Sequence, residues 1–557
     1  MAYIAFHTQS ELTAARDQIM IAKTSLLKGD TESARTAAER ADQHAADAAD
    51  TTGSLMWSVA ENIPFLGSTF TSVDQIAGAA SDLTSNVLPP TMEAGSALAP
   101  RELLDPGGRV DLPQLTAAGP ALERAAAAAT LLADHTDTIE KSDIIGAVED
   151  ARIELQRQAH DLAAMLANTR TAAQLLPGML GQDGDRRYFM AFQTNAEARG
   201  TGGLIGGFAV LAASDGTVRV DEMAANKEIS LKQRPIDLGP DFERLYGRHR
   251  ATTDWRNSNL SPHFPYAGRI WQSIWEQESG TVVDGAIATD PVALGYILDV
   301  IGPVKMSDGE VVTGDNVVEL TESTAYVRFA DDNNARKAYL QELAARVVAQ
   351  MTSDVKNPSG LLEALGKAVS ERRIAVWSAH PDEQEVIATT PLGYTVPDDA
   401  APYANVVVNN AAGNKLDYYL TRDIVYSAGT CEAETRRSTV TVTLGNETPE
   451  TTLPDYVAGM VDNSSDAEPG TARMLLSLYA TRGAKLIKAS TEQTPLFALT
   501  GSELGHPVYT VDVEIPRGAT RTVTFELNEP TAPGAASTPL QPLVAPATVT
   551  ADVPRCD

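Results

Sequence analysis

The chain reads as a multidomain α+β protein. Residues 1–178 form a helical bundle or stalk, residues 179–398 an α/β domain with a mixed sheet, and residues 399–557 a β-sandwich. Three observations predict this. The chain has 557 residues, more than one core organises. The hydrophobic period changes twice, near residue 178 and near residue 400. Gly, Pro and Asn turn signals become dense where β-branched runs replace helical ones.

In the first region, Leu12, Ala15, Ile19, Ala22 and Leu26 recur at spacings of three and four. Val148, Ala151, Leu155, Leu162 and Met165 repeat the pattern. Between them, "PALERAAAAATLLADH" is an alanine-rich helix former. Pro64, Pro89-Pro90 and "DPGG" at Asp105 to Gly108 punctuate the region. An antiparallel bundle follows, as an interaction stalk or as support for the next domain.

From "GQDGDRRYFMAFQ" onward, strand-like and helical windows alternate. "RYFMAFQ", "GFAVLAA", "GTVRVDEM" and "VDGAIATD" read as strands. "HFPYAGRIWQSIWEQESG", "PVALGYILDVIG" and "AYLQELAARVVAQM" read as helices. Beyond residue 402, "YANVVVNN", "KLDYYLTRDIVYS", "STVTVTLGN", "HPVYTVDVEI", "TRTVTFEL" and "ATVTADVP" are β runs. Sequons at Asn446 and Asn463 carry little weight, because the motif is short.

The net charge of −30 excludes a nucleic-acid partner, which needs clustered Lys and Arg. No run of about 18 apolar residues spans a membrane. The opening "MAYIAFHTQSEL" is an apolar, aromatic scrap before the first helix, so the expectation is a native form that starts with a membrane anchor. Cys431 and Cys556 are the two cysteines. They read either as one bridge stapling the chain end to its domain, which favours an extracytoplasmic location, or as two free thiols.

Four polar constellations fall in the α/β region. "TNAEARGTGGLIGGFAVL" places Asn195, Glu197, Arg199 and Thr201 before a glycine pair. It matches neither the P-loop nor the dinucleotide fingerprint, so a structural corner competes with an anion site. "TTDWRNSNLSPHFP" gathers Asp254, Arg256 and Asn257 in a loop that either binds or caps the next helix. "VDGAIATD" sets Asp284 and Asp290 at two strand ends. In "AYVRFADDNNARKAYLQ", Arg328 ends a strand-like run, with Asp332 and Arg336 beyond it. Two arginines beside acids suit a pyrophosphate and its Mg²⁺, or make an exposed ion network.

The segments "NAEARGTGGLIGGFAVL", "DWRNSNLSPHFP", "VDGAIATDPVALGYILDVIGPV" and "KLDYYLTRDIVY" resemble a largely uncharacterised family of bacterial envelope proteins, common in actinobacteria. Its members typically carry an N-terminal membrane helix, and the resemblance covers about residues 55 to 555. The α/β portion is more distantly similar to the LytR–CpsA–Psr phosphotransferases, on Arg199, "DVIGPV", Tyr326, Arg328, Asp332 and Arg336 in that order. Those enzymes move a glycan phosphate from a polyprenyl-pyrophosphate lipid to a cell-wall hydroxyl. The resemblance implies that Arg199, Arg328 and Arg336 hold the pyrophosphate and that Asp332 is the acid, with Mg²⁺ as the ion. In that family an aspartate follows the first arginine as a metal ligand. Here Gly200-Thr201-Gly202-Gly203 stands in its place, and the metal ligands stay open.

The implied function is an extracytoplasmic, membrane-anchored protein acting on a cell-wall polysaccharide or polyprenyl-linked glycan. Arg199, Arg328, Asp332, Arg336 and Asp254 would carry the chemistry. Asn195, Glu197, Thr201, Arg256, Asn257 and Asp290 would bind substrate. Two alternatives remain: a glycoside hydrolase or transglycosylase using paired carboxylates among Glu197, Asp254 and Asp290, and a non-catalytic envelope scaffold.

Overall fold

A computed structural model describes residues 2–63, 67–95, 103, 105, 108–142, 144–225, 229, 234–351, 357–459, 467–492 and 494–556. Pro64, two residues of the "DPGG" signal and the sequon at Asn463 lie outside the described residues. The chain folds into two compact units. One is residues 1–185 with 213–218, and the other is residues 186–212 with 219–557.

The first unit is helical. Helices α1 (Ala2–Leu27) and α2 (Thr31–Thr52) form a hairpin across a turn at Gly29. Then follow α3 (Leu55–Glu61), α4 (Gly67–Asp82), α5 (Leu88–Ala94), α6 (Leu112–Asp137) and α7 (Gly146–Met179). Helix α2 buries Ala34, Ala37, Ala41, Ala45 and Ala48. This alanine stripe lets neighbouring backbones approach closely, at little cost in side-chain entropy. Ala15, Ala22 and Leu26 are buried as their spacing predicts.

Two expectations are corrected here. The apolar scrap at the start does not precede the first helix but is part of it, since α1 begins at Ala2. In α7 the buried residues include Arg152, Ala159, Leu166 and Ala173, while Ala151 and Met165 are exposed. The buried stripe is displaced because Arg152 points inward, donating to Glu149 and to Gln156. No described helix is long and apolar enough to cross a membrane.

The second unit opens with strands β1 (Arg186–Arg199), β2 (Gly202–Ser214) and β3 (Thr217–Ala225). Helices α8 (Pro240–Tyr246) and α9 (Phe264–Ser279) lead to β4 (Gly285–Thr289) and α10 (Pro291–Ile301). The short pair β5 (Val304–Lys305) and β6 (Val311–Val312) precedes α11 (Asn333–Met351), α12 (Pro358–Ser370) and β7 (Ala375–Ser378). The five-stranded sheet has the order β3-β2-β1-β4-β7. β1 runs parallel to β4, and β4 antiparallel to β7, so the sheet is mixed. Helix α9 covers one face by packing Trp271 and Trp275 against Phe189 and Phe208.

The rest of this unit is β. Strands β8 (Ala404–Asn410), β11 (Ala472–Ala480), β14 (Leu499–Glu503) and β15 (His506–Ile515) form one sheet, in the order β14-β15-β11-β8. Strands β9 (Leu420–Ala428), β10 (Thr435–Asn446), β12 (Lys485–Thr491), β13 (Thr494–Pro495), β16 (Thr520–Pro530) and β17 (Thr548–Asp552) form the other. Inward residues of both, such as Val406, Leu476, Tyr426 and Phe525, share one core, and Ala198 at the end of β1 belongs to it. Cys431 and Cys556 form a disulfide across 125 residues. The tip of the central sheet is therefore set into the β part, and every residue from Gln193 to Arg199 is buried.

Candidate functional site

Burial at the tip of β1 demands partners for each polar group. The Arg199 guanidinium donates to Glu197 Oε1 at 3.0 Å, to the Arg256 carbonyl at 2.9 Å and to the Ala198 carbonyl at 2.8 Å. Glu197 also receives the buried Lys415 ammonium. Burial pushes the Glu197 carboxyl up, but the two cations outweigh it and hold it below the ordinary value. Asn195 donates to the Pro542 carbonyl at 2.9 Å. Thr201 meets Gln193 at 3.2 Å and takes a hydrogen bond from Asn259 at 2.8 Å.

In the loop at Thr252–Pro265, Asp254 caps a short 3-10 turn, Trp255–Asn257, whereas the next helix, α9, starts after His263 with no side-chain cap, against the capped entry that Ser261-Pro262 predicts. Asp254 accepts from the Arg256 backbone N–H and, through both oxygens, from the Arg256 guanidinium at 2.8 and 2.6 Å. Asn257 donates to the His249 carbonyl at 2.9 Å. Asp290 caps α10 through the Ala293 N–H at 2.8 Å and binds Arg373 at 3.0 Å. The three acids of the paired-carboxylate reading, Glu197, Asp254 and Asp290, thus each hold their own cation.

The three arginines of the resemblance part company. Arg328 closes a short helical turn, Ala325–Arg328, not a strand, and its fork lies on Glu310 at 2.7 and 2.8 Å. Asp332 caps α11, accepting from the N–H groups of Asn334 and Ala335. Arg336 is buried, with its guanidinium carbon 4.4 Å from the Tyr326 ring centre and 4.5 Å from that of Tyr456. Lys415 lies 5.8 and 5.2 Å from the same two rings. Arg336 and Arg199 are therefore joined through the tyrosine pair, Lys415 and Glu197, while Arg328 stands apart with Glu310 and Tyr339. Asp332 spends Oδ1 on the helix cap, and among the described residues no three His, Cys, Asp or Glu side chains converge.

Residues 183–326 match a family described as "Protein of unknown function (DUF4012)". The matched stretch runs from the start of β1 to Tyr326 and holds Arg199, the Asp254 loop and Asp290. No curated protein and no solved structure matches the chain.

The face of the sheet opposite α9 borders a cavity of about 270 Å³. Phe192, Gly206, Ile287, Leu294, Leu340 and Val347 represent its apolar lining. Thr194, Glu322 and Tyr326 form a polar spot in the wall. Glu322 sits on a π-helical turn, Leu320–Thr324. Such turns re-aim side chains out of the regular helical register. Its Oε2 accepts from Thr194 Oγ1 at 2.7 Å and from the Ala196 N–H at 2.8 Å. Burial raises its pKa to about 7. Thr194 also meets the Tyr326 hydroxyl at 3.1 Å.

Sequence reading missed Glu322, Lys415 and the cavity. Lys415 opens "KLDYYLTRDIVY", whose pattern predicts a strand from its first residue. Its segment makes a helical turn, Leu416–Tyr419, before the strand starts at Leu420.

Proposed function

We propose that the chain is an extracytoplasmic cell-envelope protein that takes hold of a lipid-linked glycopolymer by its hydrocarbon chain. The observation that carries this reading is the apolar cavity between the sheet and helices α10 and α11. An apolar pocket with a few polar groups on one wall is the usual form of a small-molecule site. A polyprenyl chain is flexible and apolar enough to enter it. Tyr326 belongs both to the cavity wall and to the Arg336–Tyr456 stack. A tail in the cavity would therefore place its phosphate near Arg336 and Lys415, with the half-exposed Tyr456 ring offered to a sugar. The distant resemblance to the LytR–CpsA–Psr phosphotransferases favours the same substrate class. Transfer would proceed by positioning and charge neutralisation at Arg336, since Lys415 is already paired with Glu197. The hydrolase reading draws less support, because each of its acids is already neutralised by a partner.

Ala344 lines the cavity from α11 and is half-buried. Ala344→Phe is expected to fill it and weaken binding of a polyprenyl monophosphate by about tenfold, equivalent to about 1.4 kcal/mol. The measurement is native mass spectrometry, with helicity checked by circular dichroism. Equal affinity in the two proteins, or no binding by the parent, counts against the reading.

A further inference from the structure

The hydrogen bonds at the polar spot of the cavity wall decide which atoms a ligand can use there. Thr194 Oγ1 gives its proton to Glu322 Oε2 at 2.7 Å, so in its 3.1 Å contact with Tyr326 the tyrosine hydroxyl donates. The Ala196 N–H also donates to Glu322 Oε2, at 2.8 Å. Both bonds to the carboxyl thus fall on Oε2, and Oε1 has no partner among the described residues. Glu322 is 2% exposed and lines the cavity. A proton on this carboxyl therefore belongs on Oε1, the oxygen whose lone pairs are not taken up.

The protons of Thr194, Tyr326 and the Ala196 N–H are all committed within the spot. An Oε1–H is then the donor that the spot offers to a ligand. When Glu322 is ionised, the spot offers acceptors only. A phosphate end brings acceptor oxygens and negative charge, so it is held by the first form and repelled by the second. A hydroxyl end donates as well as accepts, and suits either form.

The charges that face Glu322 are paired. Asp290 of α10 is bound by Arg373, and Lys415 by Glu197. Tyr326 and Tyr418 stay neutral, since burial raises both above the ordinary value. On its own element, Glu319 shares Tyr418 with Glu322. From α11, Arg336 stands over the Tyr326 ring and Lys337 lines the cavity. Burial outweighs these neighbours and raises Glu322 to about 7, so both of its forms are reached close to neutral pH.

Resting on the reading of the cavity as a lipid-phosphate site, we infer that Glu322 determines which head group the cavity accepts: as a carboxylic acid it donates to a phosphate end, and as a carboxylate it expels that end while still taking a hydroxyl. The phosphorylated lipid is held at mildly acidic pH and released as the pH rises. For a group titrating at about 7, the protonated fraction falls about tenfold between about pH 6 and about pH 8.

The test is isothermal titration calorimetry of the full chain with farnesyl monophosphate, a short polyprenyl monophosphate, and with farnesol, the same chain ending in a hydroxyl. The parent is expected to bind the phosphate about tenfold more weakly at about pH 8 than at about pH 6. At the higher pH it is expected to take up a proton on binding, read as a heat that changes with the ionisation heat of the buffer. Farnesol affinity is expected to change less than about threefold. Glu322→Gln keeps an acceptor for Thr194 and Ala196 and a donor in place of the Oε1–H. It is expected to lose the fall, and to bind the phosphate about tenfold more tightly than the parent at about pH 8. The second ionisation of the phosphate, at about pH 6, acts on both proteins alike, so the ratio of their affinities isolates Glu322. A ratio that does not change with pH, or farnesol weakening as the phosphate does, would overturn the inference and leave the cavity reading standing. No binding of the phosphate by the parent at any pH would overturn both.

Discussion

Glu197 lies between two cations, and all three side chains are buried: Arg199, Lys415 and Glu197 itself. Removing the shared acid leaves two buried cations without their carboxylate, and an uncompensated buried charge costs about 3–5 kcal/mol. Glu197→Gln is therefore expected to destabilise the chain by about that much in urea unfolding. Glu197→Gln/Lys415→Met should recover part of the loss, since one of the two orphaned cations goes with its partner. A single variant as stable as the parent would deny Glu197 this role. At this scale the sequence was half readable. An arginine beside a glutamate and glycines looks the same whether it awaits an anion or neutralises an acid. The choice was made by Lys415, 218 residues from Glu197, and no local pattern announces so distant a partner.

Among the elements, the corner between β1 and β2 shows what the glycines do. A Cβ on Gly203 would overlap the Thr194 carbonyl, and one on Gly200 the Leu260 carbonyl. A Cβ on Gly206 would meet nothing closer than the Phe192 carbonyl at 3.6 Å, and Gly206 lines the cavity. The first glycines permit close backbone approach, and Gly206 leaves room. Gly203→Ala is expected to cost about 3 kcal/mol, and Gly206→Ala less than about 1 kcal/mol, by urea unfolding. Equal costs would contradict this division. The strands flanking the corner were legible because their apolar runs are long and bounded by turn residues. β11 was not, because "RMLLSLYA" lacks the alternation that marks a half-buried strand. The segment around Arg328 misled for another reason. The π-helical turn at Leu320–Thr324 breaks the 3.6-residue period, so the short helical turn after it reads as extended.

Across the second unit, a buried carboxyl joins the central and C-terminal parts. Glu503 on β14 accepts from Tyr246 of α8 at 2.8 Å and from Ser261 at 2.7 Å, with the Tyr479 hydroxyl bonded to that of Tyr246. Burial raises its pKa to about 7, the same direction and value as for Glu322. In the unfolded chain a glutamate titrates near 4.5. Between these values the folded chain holds a proton that the unfolded chain releases, so stability falls as pH rises through the window and levels off above it. The effect is on the order of 3 kcal/mol for each group. Four of the five tryptophans, Trp255, Trp271, Trp275 and Trp377, lie in this unit, so their fluorescence follows its unfolding. The parent is expected to have a lower urea midpoint at about pH 7.5 than at about pH 5. Glu503→Gln carries no titrating proton and should shrink that difference by the Glu503 share, while Glu322 and Asp417 still lower stability as pH rises and His263, whose pKa burial lowers to about 4, works against them. An unchanged pH difference in the variant would show that the carboxyl joining the two parts is not held protonated by its burial.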